Sequence, residues 1–574
     1  MNLRSLFPIL DSISNYNSDT FKSDLSAGLT VGVMLIPQGM AYAMIAGLPP
    51  IYGLYASLVP IFIYALMGTS RQLAVGPVAM VSLLTASSIA LIAEQGSDQY
   101  ILLAITLAFM VGAIQFLLGV FRLGFLVNFL SHPVISGFTS AAALIIGFSQ
   151  LKHLLGIDIP RSHHVHEIIM NAASQIQETN IYAFLIGIGG IAIILFLKKN
   201  YKAFPAQLAA VVFGIGAVWS LSLVDKGVSI VADIPAGLPS FSSPSFSMDI
   251  WSSLTASALA IALVSFMESI AVAKAIQAKH KDYKLDANQE LLALGMANLV
   301  GSFFKSYPVT GGFSRTAVND QAGAKTTVAS ILSVLLIVVS LFFLTPLFYY
   351  LPKAILASII MVAVYGLIDF KEASHLWHSD KRDFVMLMVS FIATLLLGIE
   401  QGIATGVILS LVMMIFRTSR PHLAILGKIP ESNIYRNIKR FDDLENREDL
   451  LIIRFDSELY FANVQYFRDR IESLAVQKGA ALKYIILSSE SINNVDSSAV
   501  HMLKDLMEDL EKDGITLIFV SMIGPVRDIM KKTGLFESLG SQRFYLSIQD
   551  AVDAIDSGSL DDTKYDKYVF QTDV

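Results

Sequence analysis

Long apolar runs, rather than the alternation typical of a soluble fold, dominate the chain from residue 25 to residue 416. About 20 such residues in a helix cross the hydrocarbon of a bilayer. On that measure, spans fall near 25–45, 50–67, 73–92, 100–120, 124–150, 180–197, 204–223, 252–273, 287–304, 312–322, 328–345, 352–368, 383–398 and 400–416. Fourteen segments result, several of them short or broken. Two interruptions matter most. Val75-Gly76-Pro77-Val78-Ala79 breaks the third segment, and Gly311-Gly312-Phe313-Ser314-Arg315-Thr316 puts an arginine into the tenth, directly after a glycine pair. The segment near 312 is too short and too polar for a full crossing and reads as a half-helix. With seven spans per half, the second half enters from the opposite side, so the two breaks fall at corresponding positions of an inverted repeat. Such breaks mark discontinuous helices meeting near the bilayer midplane. A helix that begins inside the membrane aims unpaired N–H groups and a positive dipole end at whatever sits there. Two such ends and an arginine describe a site for an anion.

After Arg417 the pattern changes. Leu450 to Phe455, Tyr484 to Ser488 and Ile515 to Val520 read as short buried strands. Helical patterns over 464–477 and 497–512 lie between them, the second closed by Gly514, with Asp496 or Ser497 able to cap its start. Strands alternating with helices imply a small α/β domain. The expected organisation is an N-terminal segment 1–24, a membrane domain 25–416, a charged linker 417–440, the α/β domain 441–560 and a disordered tail 561–574. Segment 418–448 also supplies the first edge of that domain.

Composition sharpens this division. The chain has 574 residues, is 54% hydrophobic and only 15% charged, where ordinary globular domains approach a quarter charged. Of the 47 acidic residues, 26 follow Phe416, so the net charge of -6 belongs mostly to the soluble tail and says little about partners. The absence of cysteine excludes disulfides, thiolate metal sites and thiol nucleophiles. No Gly-x4-Gly-Lys-Ser/Thr occurs, which argues against ATP-driven pumping. No cleavable signal peptide is evident before Lys22 and Asp24, so the first span is expected to stay as an anchor. Inner connections would carry Arg71, Arg122, Lys198, Lys199, Lys274, Lys284, Lys325 and Lys371, among others, and the outer ones only Lys152, Arg161, Lys226, Lys305 and Lys353. That bias places both termini in the cytoplasm, in the cell inner (plasma) membrane.

Several of these residues resemble a known family. Ile36-Pro37-Gln38-Gly39-Met40-Ala41-Tyr42-Ala43, Val75-Gly76-Pro77, His132-Pro133-Val134 with Gly137-Phe138, and Phe313-Ser314-Arg315 are similar to the sulfate permease (SulP) family. Val495-Asp496-Ser497-Ser498-Ala499 ahead of a helix resembles a STAS domain. The resemblance covers nearly the whole chain. It implies an α-helical polytopic transporter of fourteen segments, as 7+7 inverted repeats, followed by a small cytoplasmic STAS domain. In that scheme a core (25–122 and 252–345) moves against a gate (123–223 and 352–416), an elevator-type alternating access. A small inorganic anion binds between the half-helices, and homodimers are common. The expected function is secondary transport of such an anion, most simply sulfate by proton symport. Sodium-coupled bicarbonate transport, anion exchange and a channel are the alternatives within the family. A nucleobase transporter of the same architecture, which lacks the STAS tail, and a signalling receptor with STAS output lie outside it.

Candidate substrate-binding residues are Gln38, Tyr42, Gly76, Pro77, Val78, Ala79, Gly312, Phe313, Ser314, Arg315 and Thr316. A charge at the depth of Arg315 is costly enough that function is its default reading, with snorkelling or inter-helix structure the alternative. The resemblance places it behind the site, acting through its field, with Ser314 as the direct ligand unless its hydroxyl bonds the preceding turn. Gln38 and Tyr42, at i and i+4, share one helix face and line either the cavity or a helix contact. Pro77 starts or kinks a helix. Glu268 is the only carboxylate between Asp249 and Asp282. It either carries a coupling proton or forms a permanent ion pair with Arg315. The resemblance, with Glu268 and Val272 where a sodium-coupled member has aspartate and a nearby threonine, favours the proton and leaves sodium as the alternative. No other cofactor and no metal are expected. His163, His164 and His166 suggest a metal cluster but sit in a long outer loop. Ser497 matches the serine phosphorylated in single-domain STAS proteins, although a capped helix start accounts for the same residues. Expected partners are the anion, membrane lipid, a second copy of the chain and a cytoplasmic regulator at the STAS domain, with no nucleic acid.

Overall fold

The computed structural model describes residues 3–14, 16–90, 92–125, 131–159, 165–201, 205–280 and 282–560. The expected disordered tail 561–574, together with His163 and His164, lies outside them. Two compact units divide between Ser410 and Leu411.

The first unit is helical, and each of the fourteen apolar segments contains an observed helix. Eight of the described helices are long and apolar enough to cross a bilayer. Helix Ser18–Ile45 starts on Asn17, whose side chain accepts from the Thr20 amide at 2.8 Å, the usual way an orphan first-turn N–H is satisfied. Pro37 sits within it and cannot donate to the carbonyl one turn back, so the ladder is interrupted next to Gln38. The segment expected at 50–67 is two helices, Ile51–Tyr55 and Val59–Met67. Glycine permits the close approach of the first of these: a methyl on Gly53 would sit 1.9 Å from the Gly39 carbonyl oxygen. Helix Ala79–Ile89 begins partway along its segment and Phe313–Gln321 at the head of a short one, each after extended residues. Packing sorts the helices into two sets. Ala287–Ser302 packs against Asp98–Val120 and Val59–Met67, and Val328–Val339 against Ser18–Ile45. In the other set Lys381–Leu397 packs against His132–Ser149, and Ile181–Asn200 against Lys353–Tyr365, which also lies against Ser18–Ile45 and so joins the two sets. A two-stranded ladder, β1 (Val75–Gly76) with β2 (Thr310–Gly311), ties the middle of the first set together.

The second unit is built on a six-stranded sheet in the order β4-β3-β5-β6-β7-β8. Its strands are β3 (Leu423–Lys428), β4 (Tyr435–Asn437), β5 (Leu450–Phe455), β6 (Tyr484–Ser488), β7 (Thr516–Val520) and β8 (Phe544–Tyr545). The last four run parallel, while β3 is antiparallel to both its neighbours. Both faces are covered, as a parallel sheet requires. Ile453, Ile485, Leu487 and Phe519 pack against helices Val464–Lys478 and Ser497–Lys512 on one side, and Ile452, Ile486, Ile518 and Val520 against Ala551 and Val552 on the other. The linker expected over 417–440 contains two strands, in keeping with the sheet edge expected from 418–448: β3 pairs with β5 and β4 with β3.

Candidate functional site

The ladder sets the geometry of the candidate site. Val75 pairs with Gly311 and Gly76 with Thr310, and the Gly312 amide continues the pairing to the Ala74 carbonyl at 3.0 Å. Gly76 has φ +146, a conformation that glycine alone adopts without strain. Each strand runs directly into a helix. Their first intrahelical bonds are Ser82 N to Val78 O and Thr316 N to Gly312 O, both 3.0 Å. The amides of Ala79, Met80 and Val81, and those of Phe313, Ser314 and Arg315, thus have no acceptor in their own helix, and no side chain caps either start. Two positive helix ends converge with their donors vacant.

Arg315 lies between them, 2% exposed. Its Nη1 donates to the Pro77 carbonyl at 2.7 Å, bonding one half-helix to the entry of the other. Nε and Nη2 are buried without a hydrogen-bond partner, and so are Glu268 Oε2 and Gln38 Oε1. Among the described residues no ion pair joins Glu268 to Arg315, so the permanent-pair reading of Glu268 is not what the structure holds. The charges of Arg315 and Glu268 nevertheless act on one another and on Tyr42, and Tyr307 lies within reach of the guanidinium's field. Charged and polar atoms left unpartnered inside apolar surroundings cost several kcal/mol each. Four such atoms around two vacant helix starts are a place for a ligand with complementary charge.

The sequence candidates divide into three groups. Gly76, Pro77, Val78, Ala79, Gly312 and Arg315 come together: a methyl on Gly312 would sit 2.9 Å from Arg315 Nη2 and 3.2 Å from Val78 Cγ1. Phe313, 61% exposed, and Ser314 lie open at the helix start, free to meet a ligand. Thr316 points away from that role. Its hydroxyl donates to Gly312 O at 2.7 Å and accepts from the Ala74 amide at 3.0 Å, which holds β1 to the second half-helix. Gln38 and Tyr42 are both buried one turn apart on helix Ser18–Ile45.

Supporting groups escaped the sequence reading. Ser269 Oγ, one residue beyond Glu268, accepts from the Gly311 amide at 2.7 Å and lies 2.6 Å from Thr310 Oγ1, which donates to the Ser265 carbonyl at 2.5 Å. Helix Met248–Gln277 is thereby fixed to β2 and carries Glu268 with it. Glu290 is fully buried and accepts from Tyr64 Oη (2.7 Å), Thr69 N (2.7 Å), Thr69 Oγ1 (2.6 Å) and Ser70 N (3.0 Å), anchoring the loop that enters β1. Asp24 does the same after the second half-helix, accepting from Lys325 N at 2.7 Å, Thr326 N at 3.1 Å and Thr326 Oγ1 at 2.5 Å. Glu290 stands in a first helical turn, where acids are common, and so offered no signal of its own. Its partners, more than 200 residues away, carried none.

In the second unit, Asp496 caps helix Ser497–Lys512 by accepting from the Ala499 amide at 2.9 Å, and its other oxygen accepts from Phe461 N at 2.9 Å. Ser497 is exposed at that helix start. His166 lies on helix Val165–Ser174, and no cluster that could hold a metal occurs among the described residues.

Apolar helices, vacant helix starts and a buried arginine define a polytopic helical membrane protein with a candidate anion site. Residues 21–390 match the sulfate permease family and 443–551 the STAS domain. The chain belongs to the sulfate permease family. It is 41% identical to sulfate transporter 4.1, chloroplastic, of Arabidopsis thaliana, over 97% of this chain and 84% of that one. With high affinity sulfate transporter 2 of Stylosanthes hamata it shares 36% identity, over 96% and 86%. Among solved structures, SLC26A9 superposes with a TM-score of 0.88 at 28% identity, covering 99% of this chain and 95% of that one. The transmembrane domain of the cyanobacterial bicarbonate transporter BicA shares the fold, with a TM-score of 0.59 at 22% identity, over 69% and 98%.

Proposed function

We propose that this chain is a secondary active transporter of sulfate, coupled to protons, working by elevator-type alternating access in the plasma membrane with both termini cytoplasmic. The observation that carries the anion is Arg315, whose Nε and Nη2 lie buried and unpartnered beside two uncapped helix starts. The names of the relatives favour sulfate. A tetrahedral dianion suits a field of converging N–H groups better than a planar or neutral solute, because it accepts from several directions at once. The division of the helices into two packed sets supports a core moving against a gate.

Glu268 supports the proton. Its Oε2 is unpartnered, so no fixed hydrogen bond ties the carboxylate to one protonation state. A protonated Glu268 lets an anion settle near Arg315 without like-charge repulsion, and loss of that proton favours release. Uptake of labelled sulfate into proteoliposomes should rise as external pH falls and ignore replacement of sodium by potassium. Glu268→Gln should abolish accumulation driven by an inward proton gradient and leave anion-for-anion exchange running. A sodium requirement at constant pH would overturn proton symport, and preference for bicarbonate in an anion panel would overturn sulfate.

A further inference from the structure

Away from the half-helices, a cavity of about 840 Å³ opens beneath the N-terminal segment. Its walls are the ends of helices Val59–Met67 and Asp98–Val120 and the start of Ala287–Ser302. The roof is pinned rather than loosely draped: Gln289 Nε2 donates to Leu6 O at 3.1 Å and to Met67 O at 2.8 Å, and Ile9 is buried.

Three cations line this space with exposed side chains, Arg4, Arg122 and Lys284, and among the described residues none of these side chains has an ion-pair or hydrogen-bond partner. Arg71, also on the wall, is already engaged, bonded to Asp282 at 2.6 Å and stacked 5.2 Å from the Tyr283 ring. Two carboxylates also line it: Asp286, which accepts from the Asn288 and Gln289 amides at the following helix start, and Asp11; against them stand Arg4, Arg122 and Lys284, with Arg71 already paired. The excess is positive. Beside it the wall turns apolar through Phe116, Val120 and Leu292. Val120 is 52% exposed and continues into Leu117 and Phe121, 51% and 69% exposed, at the same helix end. A cluster of cations at a helix end flanked by outward-facing hydrocarbon has the two-part character of a phospholipid at the interface, where basic pockets between membrane helices bind anionic headgroups.

We propose that this cavity binds the phosphate headgroup of an anionic phospholipid, with Arg4, Arg122 and Lys284 on the phosphate and an acyl chain along Leu117 to Phe121. It is separate from the anion site, and the leaflet it draws from is the one facing the termini in the orientation proposed above. A free tetrahedral oxyanion would meet the same cations, and the acyl contact is what distinguishes the lipid.

The test is native mass spectrometry of the full-length protein titrated with phosphatidylglycerol, phosphatidylcholine or inorganic phosphate. Phosphatidylglycerol should be retained and phosphatidylcholine should not. The triple variant R4Q/R122Q/K284Q should bind phosphatidylglycerol about a hundredfold more weakly, near fivefold per cation, while still binding labelled sulfate. Arg122→Lys should retain the lipid, and Lys198→Gln, which removes a cation elsewhere on the proposed inner face, should leave binding unchanged. If the triple variant does not fold, each single substitution should still cost about fivefold. Equal retention of the two lipids, or undiminished binding in the variants, overturns the proposal. Displacement of phosphatidylglycerol by inorganic phosphate at matching concentration overturns the lipid assignment in favour of a soluble oxyanion. Loss of sulfate transport with lipid binding intact would strike only the proposed function.

Discussion

Glu290 is fully buried and Glu268 partly so, on two helices that both pack against Asp98–Val120, and they are treated in opposite ways. Glu290 receives four hydrogen bonds, from Tyr64, Ser70 and twice from Thr69, whereas Glu268 Oε2 receives none. The same contrast separates Asp24, with three donors on the 325–326 turn, from Arg315, with one nitrogen bonded and two vacant. A saturated charge has one low-energy arrangement and fixes the backbone around it. A vacant one keeps its capacity for a ligand or a proton at the expense of stability. Saturation here belongs to the frame that holds the half-helices, and vacancy to what lies between them.

Mutations at the two kinds of charge should therefore part company. The largest effect is expected at the frame. Glu290→Ala removes the acceptor of four donors at once and should destabilise the protein by about 3–4 kcal/mol, read as a lowered thermal midpoint in detergent. A variant as stable as the parent would mean that saturation at Glu290 is incidental. Arg315→Ala should do the reverse. Sulfate affinity should fall by about 1–3 kcal/mol for a charge-assisted contact, while the thermal midpoint holds or rises, because two unpartnered buried nitrogens disappear. Affinity unchanged in a folded Arg315→Ala protein would place the anion elsewhere. A smaller effect should follow Gly312→Ala, whose methyl would come within 2.9 Å of Arg315 Nη2 and push the guanidinium aside. Isothermal titration should show a loss of about three- to fivefold, under 1 kcal/mol, with the fold intact.

The smallest effect belongs to the water-exposed second unit. Arg447 bridges Asp449 at 2.8 Å and Asp556, with the first pair just over a third exposed. The hydrogen bond from Arg447 holds the Asp449 carboxyl below its ordinary range. Its folded pKa is thus below the unfolded one, so the contribution is complete at neutral pH and is lost as pH falls through the depressed value. Arg447→Met should cost less than about 1 kcal/mol, as solvent screening dictates, and should flatten the acid limb of amide-exchange protection in β5 without touching sulfate affinity. A loss as large as that at Glu290 would erase the distinction between exposed and buried charge.

What could be read in advance follows the same physics. That Arg315, the glycine pair before it and Pro77 would come together was legible because a charge or a helix breaker inside an apolar run is costly and marks a discontinuous helix. The strands Leu450–Phe455 and Tyr484–Ser488 announced themselves as short unbroken apolar runs. Other features depended on partners far along the chain. Glu290 follows Asp286 at a helix start, where acids are common on local grounds, and only folding brings Tyr64, Thr69 and Ser70 to it. Strands β3 and β4 gain their state by pairing, β3 with β5 and β4 with β3, so a charged, polar stretch read as a linker and first sheet edge without showing which residues are the strands. Thr316 sits beside Arg315 in sequence, yet its hydroxyl faces the ladder, a distinction that only three-dimensional register reveals.

The two-residue ladder between Val75–Gly76 and Thr310–Gly311 has a kinetic meaning as well as a static one. Together with the Arg315 to Pro77 bond, it sews the two half-helices into one seam, so that neither can slide without dragging the other. In the transport cycle proposed above, an anion seated there would keep the same set of neighbours from one face of the membrane to the other. The journey would then change only which solution the seat opens to, and a cargo held with equal grip at both ends leaves directionality to the gradients outside.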